Sequence, residues 1–239
     1  MIKLAVSGCQ GRMGQRITHL AFGDNDFKVT VLLEHRDHPK ASENINGISI
    51  STGADAVKGC DVLIEFTTPE ATIAHLAACV KHGVKMVIGT TGLSTDQITQ
   101  IQQATKTIPI VFSSNMSVGV NILFNVTKQL AQKTPQSYLV KMSEAHHIHK
   151  KDAPSGTAKT LAEIIEKNSA KKVPSIESIR EGEIVGDHTV IFDSAEDTIT
   201  ISHHAKSRDI FAKGALVAAK FVVNKKSGLF TMQDVLGLN

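Results

Sequence analysis

The sequence predicts an α/β fold: a parallel sheet covered by helices, followed by a second, smaller α+β domain. Two observations carry this. In the first half, short runs rich in Val and Ile alternate with longer segments whose apolar residues recur every three or four positions, and that strand, helix, strand rhythm builds parallel sheets wrapped on both faces. After Ser113 the rhythm gives way to helices mixed with a run of extended segments, which suits an antiparallel or mixed sheet. With 239 residues, 41% of them apolar, the chain can bury a core without disulfide or metal staples.

Ile2–Ser7, Val29–Leu33, Val62–Phe66, Met86–Ile88 and Ile108–Phe112 read as strands, being short, β-branched and bounded by Gly, Asp or Pro. Between them Arg12–Phe22, Pro69–His82 and Ser94–Thr105 have helical spacing. Pro69 suits a first turn, and Ser94 and Asp96 suit an N-cap region. Val118–Gln132 reads as a helix, Ser137–Glu144 as a strand and Ser155–Lys167 as a helix. Ile176–Arg180, Glu183–Phe192 and Thr198–His203 are extended segments joined by Gly and Asp turns. Arg208–Asn224 returns to helical period with Ala and Val on one stripe, which suits packing back on the first domain. The expected division is therefore 1–116 with 208–239 as one domain and 117–207 as the other.

Several classes are excluded. A net charge of +3, from 26 Lys+Arg against 23 Asp+Glu scattered along the chain, argues against a nucleic-acid partner. Cys9, Cys60 and Cys79 are odd in number, far apart and unmatched to any metal spacing, which argues against a disulfide framework and against zinc, and for a reducing compartment. No apolar run approaches the ~18–20 residues of a membrane span, and strand pattern begins at residue 2, so a cytoplasmic protein with no membrane partner is expected.

The first strand runs into Gly8-Cys9-Gln10-Gly11-Arg12-Met13-Gly14 and then a helix. Glycines permit a tight turn and close backbone approach, and a helix start offers N–H groups and partial positive charge, together a pyrophosphate site. The spacing G-x-x-G-x-x-G departs from the commoner G-x-G-x-x-G, so context carries the reading: Glu34 stands 20 residues after Gly14 at the end of the second strand, where a carboxylate meets the adenosine ribose. Glu34 favours NADH over NADPH by repelling a 2′-phosphate, whereas His35 and Arg36 can pair with that phosphate, so both cofactors are expected. Arg12 adds a phosphate or adenine contact or is a solvated cation. Gly89-Thr90-Thr91-Gly92 and Ser113-Ser114-Asn115-Met116 follow later strands, where ligands of open α/β sheets bind.

The densest chemistry is Glu144-Ala145-His146-His147-Ile148-His149-Lys150-Lys151-Asp152-Ala153-Pro154-Ser155-Gly156-Thr157-Ala158. Ser155, Gly156 and Thr157 open a helix and offer N–H groups and hydroxyls to a carboxylate. The imidazoles and ammonium groups beside them suit a dianionic substrate that must also take a proton, since only His titrates near neutrality unperturbed. A metal site lacks a matching ligand spacing, a solvated basic loop competes, and core histidines are unexpected beside two lysines.

This long string resembles the signature of the 4-hydroxy-tetrahydrodipicolinate (dihydrodipicolinate) reductases. GCQGRMG, Phe66–Glu70, Gly89–Gly92, Ser113–Asn121 and Ser227–Leu238 are similar to that family's other landmarks, in order and over nearly the whole chain. The resemblance implies a Rossmann-like dinucleotide domain completed by the C-terminal helix, a middle domain that contacts substrate and builds a homotetramer, and NAD(P)H-dependent reduction of a cyclic dicarboxylate in the diaminopimelate route to lysine. It implies that Gly8, Gly11, Arg12 and Met13 hold the pyrophosphate and Glu34 the ribose. Gly89, Thr90 and Thr91 would hold the middle of the cofactor, and Ser113, Ser114, Asn115 and Met116 its nicotinamide side. His146 would be the proton donor, Lys150 the second catalytic group, His147 a substrate-binding residue, and Gly156 with Thr157 the carboxylate turn. His35 stands where some relatives carry Arg, and Ser113-Ser114 replaces a more usual pair. Closure about hinges near 116 and 207 is expected to complete the site. Another nicotinamide oxidoreductase and an NAD(H)-sensing regulator are the competing readings; the second lacks any DNA-binding appendage.

Overall fold

The structure, a computed structural model, describes residues 1–238. In chain order the first unit holds β1 (Ile2–Ser7), α1 (Arg12–Phe22), β2 (Phe27–Leu33), β3 (Asn44–Ile45), β4 (Ile48–Ser51), a 3-10 turn at Ala54–Val57, β5 (Val62–Glu65), α2 (Pro69–His82), β6 (Lys85–Ile88), α3 (Thr95–Ala104) and β7 (Pro109–Phe112). The second holds α4 (Val118–Lys133), β8 (Leu139–His146), α5 (Gly156–Asn168), β9 (Ile176–Arg180), β10 (Asp187–Asp193) and β11 (Thr198–His204). The chain then returns to the first unit with α6 (Asp209–Val222), β12 (Gly228–Phe230) and α7 (Met232–Leu236). The compact units are 1–117 with 211–237, and 118–210.

The first sheet has eight strands in the order β12-β7-β6-β5-β1-β2-β4-β3, all parallel except β3. Its central strands are apolar on both faces because successive side chains point to opposite sides and both sides are covered. In β5, Val62 and Ile64 join Ile17 of α1 and Ala215 of α6 in one core, while Leu63 joins Leu76 of α2 and Ile101 of α3 in the other. The helices start as the sequence dictates: Pro69 occupies the first turn of α2 behind a Thr68 cap, and Ser94 and Gln97 form a reciprocal capping box on α3.

The second sheet, β11-β10-β8-β9, is mixed: β8 runs antiparallel to β10 and parallel to β9. One face packs on α4 and α5 through Val140, Met142, Val190 and Phe192; burying Phe192 alone contributes on the order of 2–3 kcal/mol. Lys171, itself buried, donates to the Ala131 and Thr134 carbonyls at 3.3 and 2.8 Å and so closes the end of α4.

Three differences from the sequence reading matter. The strand expected at 137–144 begins at Leu139 and continues to His146, so the histidine segment starts on rigid sheet and not in a loop. The segment expected to extend from Glu183 starts only at Asp187, because the chain first turns at Glu181–Ile184 with Gly182 at φ +50°. The β3–β4 hairpin, β12 and α7 were not anticipated. The Asn46-Gly47 pair of that hairpin, both at positive φ, is the signal that went unread.

Candidate active site

Five neighbouring strands of the first unit, β7, β6, β5, β1 and β2, deliver their carboxyl-end loops to one edge of the sheet, and the connections diverge at β1. That switch point is where open α/β sheets bind ligands. Here the glycine turn folds on itself, Gly11 N–H donating to the Gly8 carbonyl at 2.8 Å. α1 passes so close that a Cβ on Gly14 would lie 2.0 Å from the Gly8 oxygen, which only glycine permits. α1 opens without a side-chain cap and without an acidic residue in its first turn, leaving its positive end for an anion.

Glu34 reaches this turn. Its carboxylate accepts from Gln10 N–H at 2.9 Å and from His35 N–H at 2.8 Å, and together with burial it pushes the Cys9 thiol up to about 11. His35 and Arg36 stand exposed beside it. Gly89, Thr90 and Thr91 follow β6, and Ser113 to Met116 follow β7, where Ser113 donates to the Asn115 carbonyl and Met116 is buried. The Thr90 hydroxyl is turned inward onto Thr67 N–H and Thr72, so a ligand meets the backbone of this loop. These residues fit a dinucleotide: an uncapped helix start, glycines that a Cβ would block, and a carboxylate held against the glycine turn.

In the second unit, the alternation of β8 puts Val140, Met142, Glu144 and His146 on its buried face, so a carboxylate and an imidazole continue an apolar stripe side by side. The fully buried Glu144 accepts from both terminal nitrogens of Arg180 at 3.1 and 2.8 Å, from Ser155 N–H at 3.2 Å, and pairs with His146 Nδ1 at 2.5 Å. Burial opposes its charge, yet the Arg180 and His146 hydrogen bonds hold its carboxyl down at about 2. Arg180 is placed by register, opposite His146 on β9, and is braced by the Asp152 carbonyl.

His146 is a buried histidine, which overturns the expectation that none would sit beside Lys150 and Lys151. Burial pushes its basicity below the ordinary range, Glu144 opposes this, and the Lys150 and Arg180 charges add to it. With Nδ1 taken by Glu144, Nε2 is the other ring nitrogen; a Cβ on Gly186 would lie 3.0 Å from it. His188 lies edge-on to His146 at 5.2 Å, held neutral by burial, which takes it down to about 4, and its Nε2 meets Ser155 Oγ at 3.1 Å. Ser155 also caps α5 through Ala158 N–H, so Gly156 and Thr157 begin a helix whose first turn has no acid.

Glu144 thus joins two of the predicted groups directly, His146 and the turn at Ser155. Lys150 pairs with Asp152 at 2.8 Å, and His147 stacks obliquely near His149 in the same loop. Arg180, Gly186 and His188 were not singled out from the sequence; Ser155 was read there as part of the helix-opening turn, and Glu144 stood at the head of the histidine string without a role of its own. The period-two continuation of Val140 and Met142 was the available signal for Glu144. Among the described residues, no group of His, Cys, Asp and Glu is arranged to hold a metal ion, and no helix is long and apolar enough to cross a membrane.

The chain matches two family models, "Dihydrodipicolinate reductase, N-terminus" over residues 2–116 and "Dihydrodipicolinate reductase, C-terminus" over residues 119–236. It is similar to the 4-hydroxy-tetrahydrodipicolinate reductases of Nitrosomonas eutropha, 43% identical over 100% of this chain and 99% of the relative, and of Nitrosomonas europaea, 40% identical over 99% and 98%. Its fold is similar to that of a dipicolinate-bound dihydrodipicolinate reductase from Paenisporosarcina sp. TG-14, with a TM-score of 0.85 at 22% identity over 98% of each chain. It is less similar to an amine dehydrogenase from Mycobacterium smegmatis, with a TM-score of 0.65 at 10% identity over 98% of this chain and 95% of that one.

Proposed function

The chain belongs to the dihydrodipicolinate reductase family, and from that premise we propose how its residues divide the reaction. It is a nicotinamide-dependent oxidoreductase that reduces 4-hydroxy-tetrahydrodipicolinate in the diaminopimelate route to lysine. When bound, the reduced dinucleotide supplies the hydride. Gly8, Gly11, Arg12 and Met13 would hold its pyrophosphate, Glu34 its adenosine ribose, Gly89, Thr90 and Thr91 its middle, and Ser113, Ser114, Asn115 and Met116 its nicotinamide side.

The substrate is a ring carrying two carboxylates. Gly156 and Thr157 at the start of α5 receive one of them, Lys150 exchanges Asp152 for a substrate carboxylate, and His147 adds a donor. His146 Nε2 gives up the proton that the reduced ring takes at carbon. The observation that carries this role is the Glu144–His146 pair: a buried carboxylate, ionised at neutral pH, fixes the tautomer and the ring plane through Nδ1 and stabilises the imidazolium. Depressed basicity in the free protein rises when a dianion docks beside the imidazole, so the proton is taken up with the substrate and delivered to it.

Glu34, tied at both oxygens to backbone N–H groups, keeps a carboxylate at the ribose hydroxyls and favours NADH. Exposed His35 and Arg36 admit NADPH as well. The open face of the second sheet, where Leu139 and Ile179 are exposed, is assigned to homotetramer assembly. The three buried, unpaired thiols suit the cytoplasm. The test is oxidation of NADH and NADPH, followed in parallel at 340 nm with freshly generated substrate. Substrate-dependent oxidation of both is expected, faster with NADH at low concentration, and oxidation of neither would refute the reading.

A further inference from the structure

A second buried carboxylate lies in the first unit, in none of the roles above. Glu65 ends β5 with its side chain wholly inaccessible to water. An isolated charge there would cost several kcal/mol, and both oxygens are engaged: Oε2 pairs with His75 Nδ1 of α2 at 2.6 Å, and Oε1 accepts the hydroxyl of Thr67. Thr67 belongs to the short loop, 66–68, between β5 and α2. Its backbone N–H donates to Thr90 Oγ1 at 3.1 Å, and the Thr90 hydroxyl in turn shares a 2.9 Å hydrogen bond with Thr72, which also donates to the Thr68 carbonyl at 2.9 Å. A continuous polar chain therefore runs from His75 through Glu65 and Thr67 into the Gly89–Thr91 loop.

The same loop touches the glycine turn. A Cβ on Gly8 would stand 2.9 Å from Thr67 Cγ2, and a Cβ on Gly89 would strike the Phe66 ring at 2.3 Å. Residues 66–68 are thus wedged between the two loops assigned to the dinucleotide, and the side chain that anchors Thr67 is Glu65.

We propose that Glu65 and His75 are positioning residues for the dinucleotide site, holding Thr67 so that the 66–68 loop spaces the glycine turn from the Gly89–Thr91 loop at the separation the cofactor requires. The proposal rests on the first unit being the dinucleotide carrier. Neither residue touches the reacting atoms; what they set is cofactor affinity, while the substrate groups of the second unit stay as they are.

Calorimetric titration of the full chain with NADH, and separately with dipicolinate, tests this on Glu65→Ala, Glu65→Gln and Thr67→Val. Loss of one positioning hydrogen bond should raise the NADH dissociation constant about tenfold in Glu65→Ala and in Thr67→Val, with dipicolinate affinity unchanged. Glu65→Gln should rescue most of the affinity, since an amide oxygen still accepts from Thr67 and the amide N–H can donate to His75. A role confined to stability would lower the melting temperature of these variants and leave NADH affinity alone. Thr67→Val removes one hydroxyl at constant shape, so it remains informative if Glu65→Ala does not fold. Wild-type NADH affinity in folded Thr67→Val overturns this proposal alone, whereas a wild-type chain that takes up neither NADH nor NADPH overturns the dinucleotide reading and this proposal with it.

Discussion

Replacing Glu144 by Gln preserves the side chain's outline and removes one charge from beneath the active site. In the native chain the carboxyl sits at about 2 against an ordinary 4.5, and at about 1.4 kcal/mol per tenfold in proton affinity that difference is worth on the order of 3 kcal/mol. The sign follows from the depressed value. The contribution is complete above about pH 4.5, where the unfolded chain is also ionised, and disappears as pH falls through about 2. Glu144→Gln should therefore unfold in urea with a deficit of that order at pH 7, and the deficit should close toward pH 2, where the wild-type group is protonated too. Catalysis should suffer separately, because a Gln amide cannot stabilise the imidazolium of His146 or fix its tautomer; kcat should fall about 10²-fold with NADH affinity unchanged. Chemical denaturation across pH and steady-state assays at 340 nm measure the two effects. A deficit that is the same at pH 2.5 and pH 7, or a kcat within twofold of wild type, would refute the reasoning.

Two further outcomes follow from the same cluster. If His146 delivers the proton, kcat/KM should decline as pH rises through a value below the ordinary histidine range, because the free imidazole is buried and faces Lys150, Arg180 and neutral His188 as well as Glu144. The kcat profile should break at higher pH, because bound dianion raises the same group, and His146→Gln should lower kcat by ~10²–10⁴-fold; coincident profiles would count against proton uptake with substrate. Gly186→Ala should place a methyl group against Nε2, and since no unusual φ is required there, the loss should appear in kcat and dipicolinate affinity with little change in melting temperature. Full activity in that variant would show that Nε2 is not approached from this side.

Much of the first unit was legible in the sequence because parallel strands buried on both faces must be continuous apolar runs, and Arg12–Phe22 and Pro69–His82 advertise their ends with Gly, Pro and Thr. The pieces that went unread are the two- to four-residue strands β3, β4 and β12, too short for any periodicity to register and held by pairing to strands already formed. The histidine string and the glycine turn were visible as chemistry because His, Lys and Gly are unusual in such clusters. Arg180 was not, and Glu144 was seen only as the head of that string, since a lone Glu or Arg in an extended segment reads as a solvated surface residue. Their partnership depends on the pairing of β8 with β9, which brings residue 180 opposite residue 146 across 34 positions of sequence.

The two units solve the same physical problem in the same way. In each, an apolar strand runs toward its carboxyl end, and the last core-facing positions carry a glutamate, Glu65 on β5 and Glu144 on β8, each wholly buried and each paired with an imidazole nitrogen. A buried ion pair is seldom worth more to stability than well-packed hydrocarbon of the same volume, so stability alone gives no reason to place charge there. What charge provides and hydrocarbon does not is direction: a carboxylate fixes hydrogen-bond donors at defined angles, here the Thr67 hydroxyl in one unit and the Ser155 amide in the other. Under the proposed function, Ser155 opens the turn that receives a substrate carboxylate, and Thr67 spaces the two loops that hold the dinucleotide. Neither α1 nor α5 carries an acid in its first turn, so the direction is imposed from underneath: Glu144 is countered there by Arg180, and Glu65 is engaged at both oxygens by His75 and Thr67.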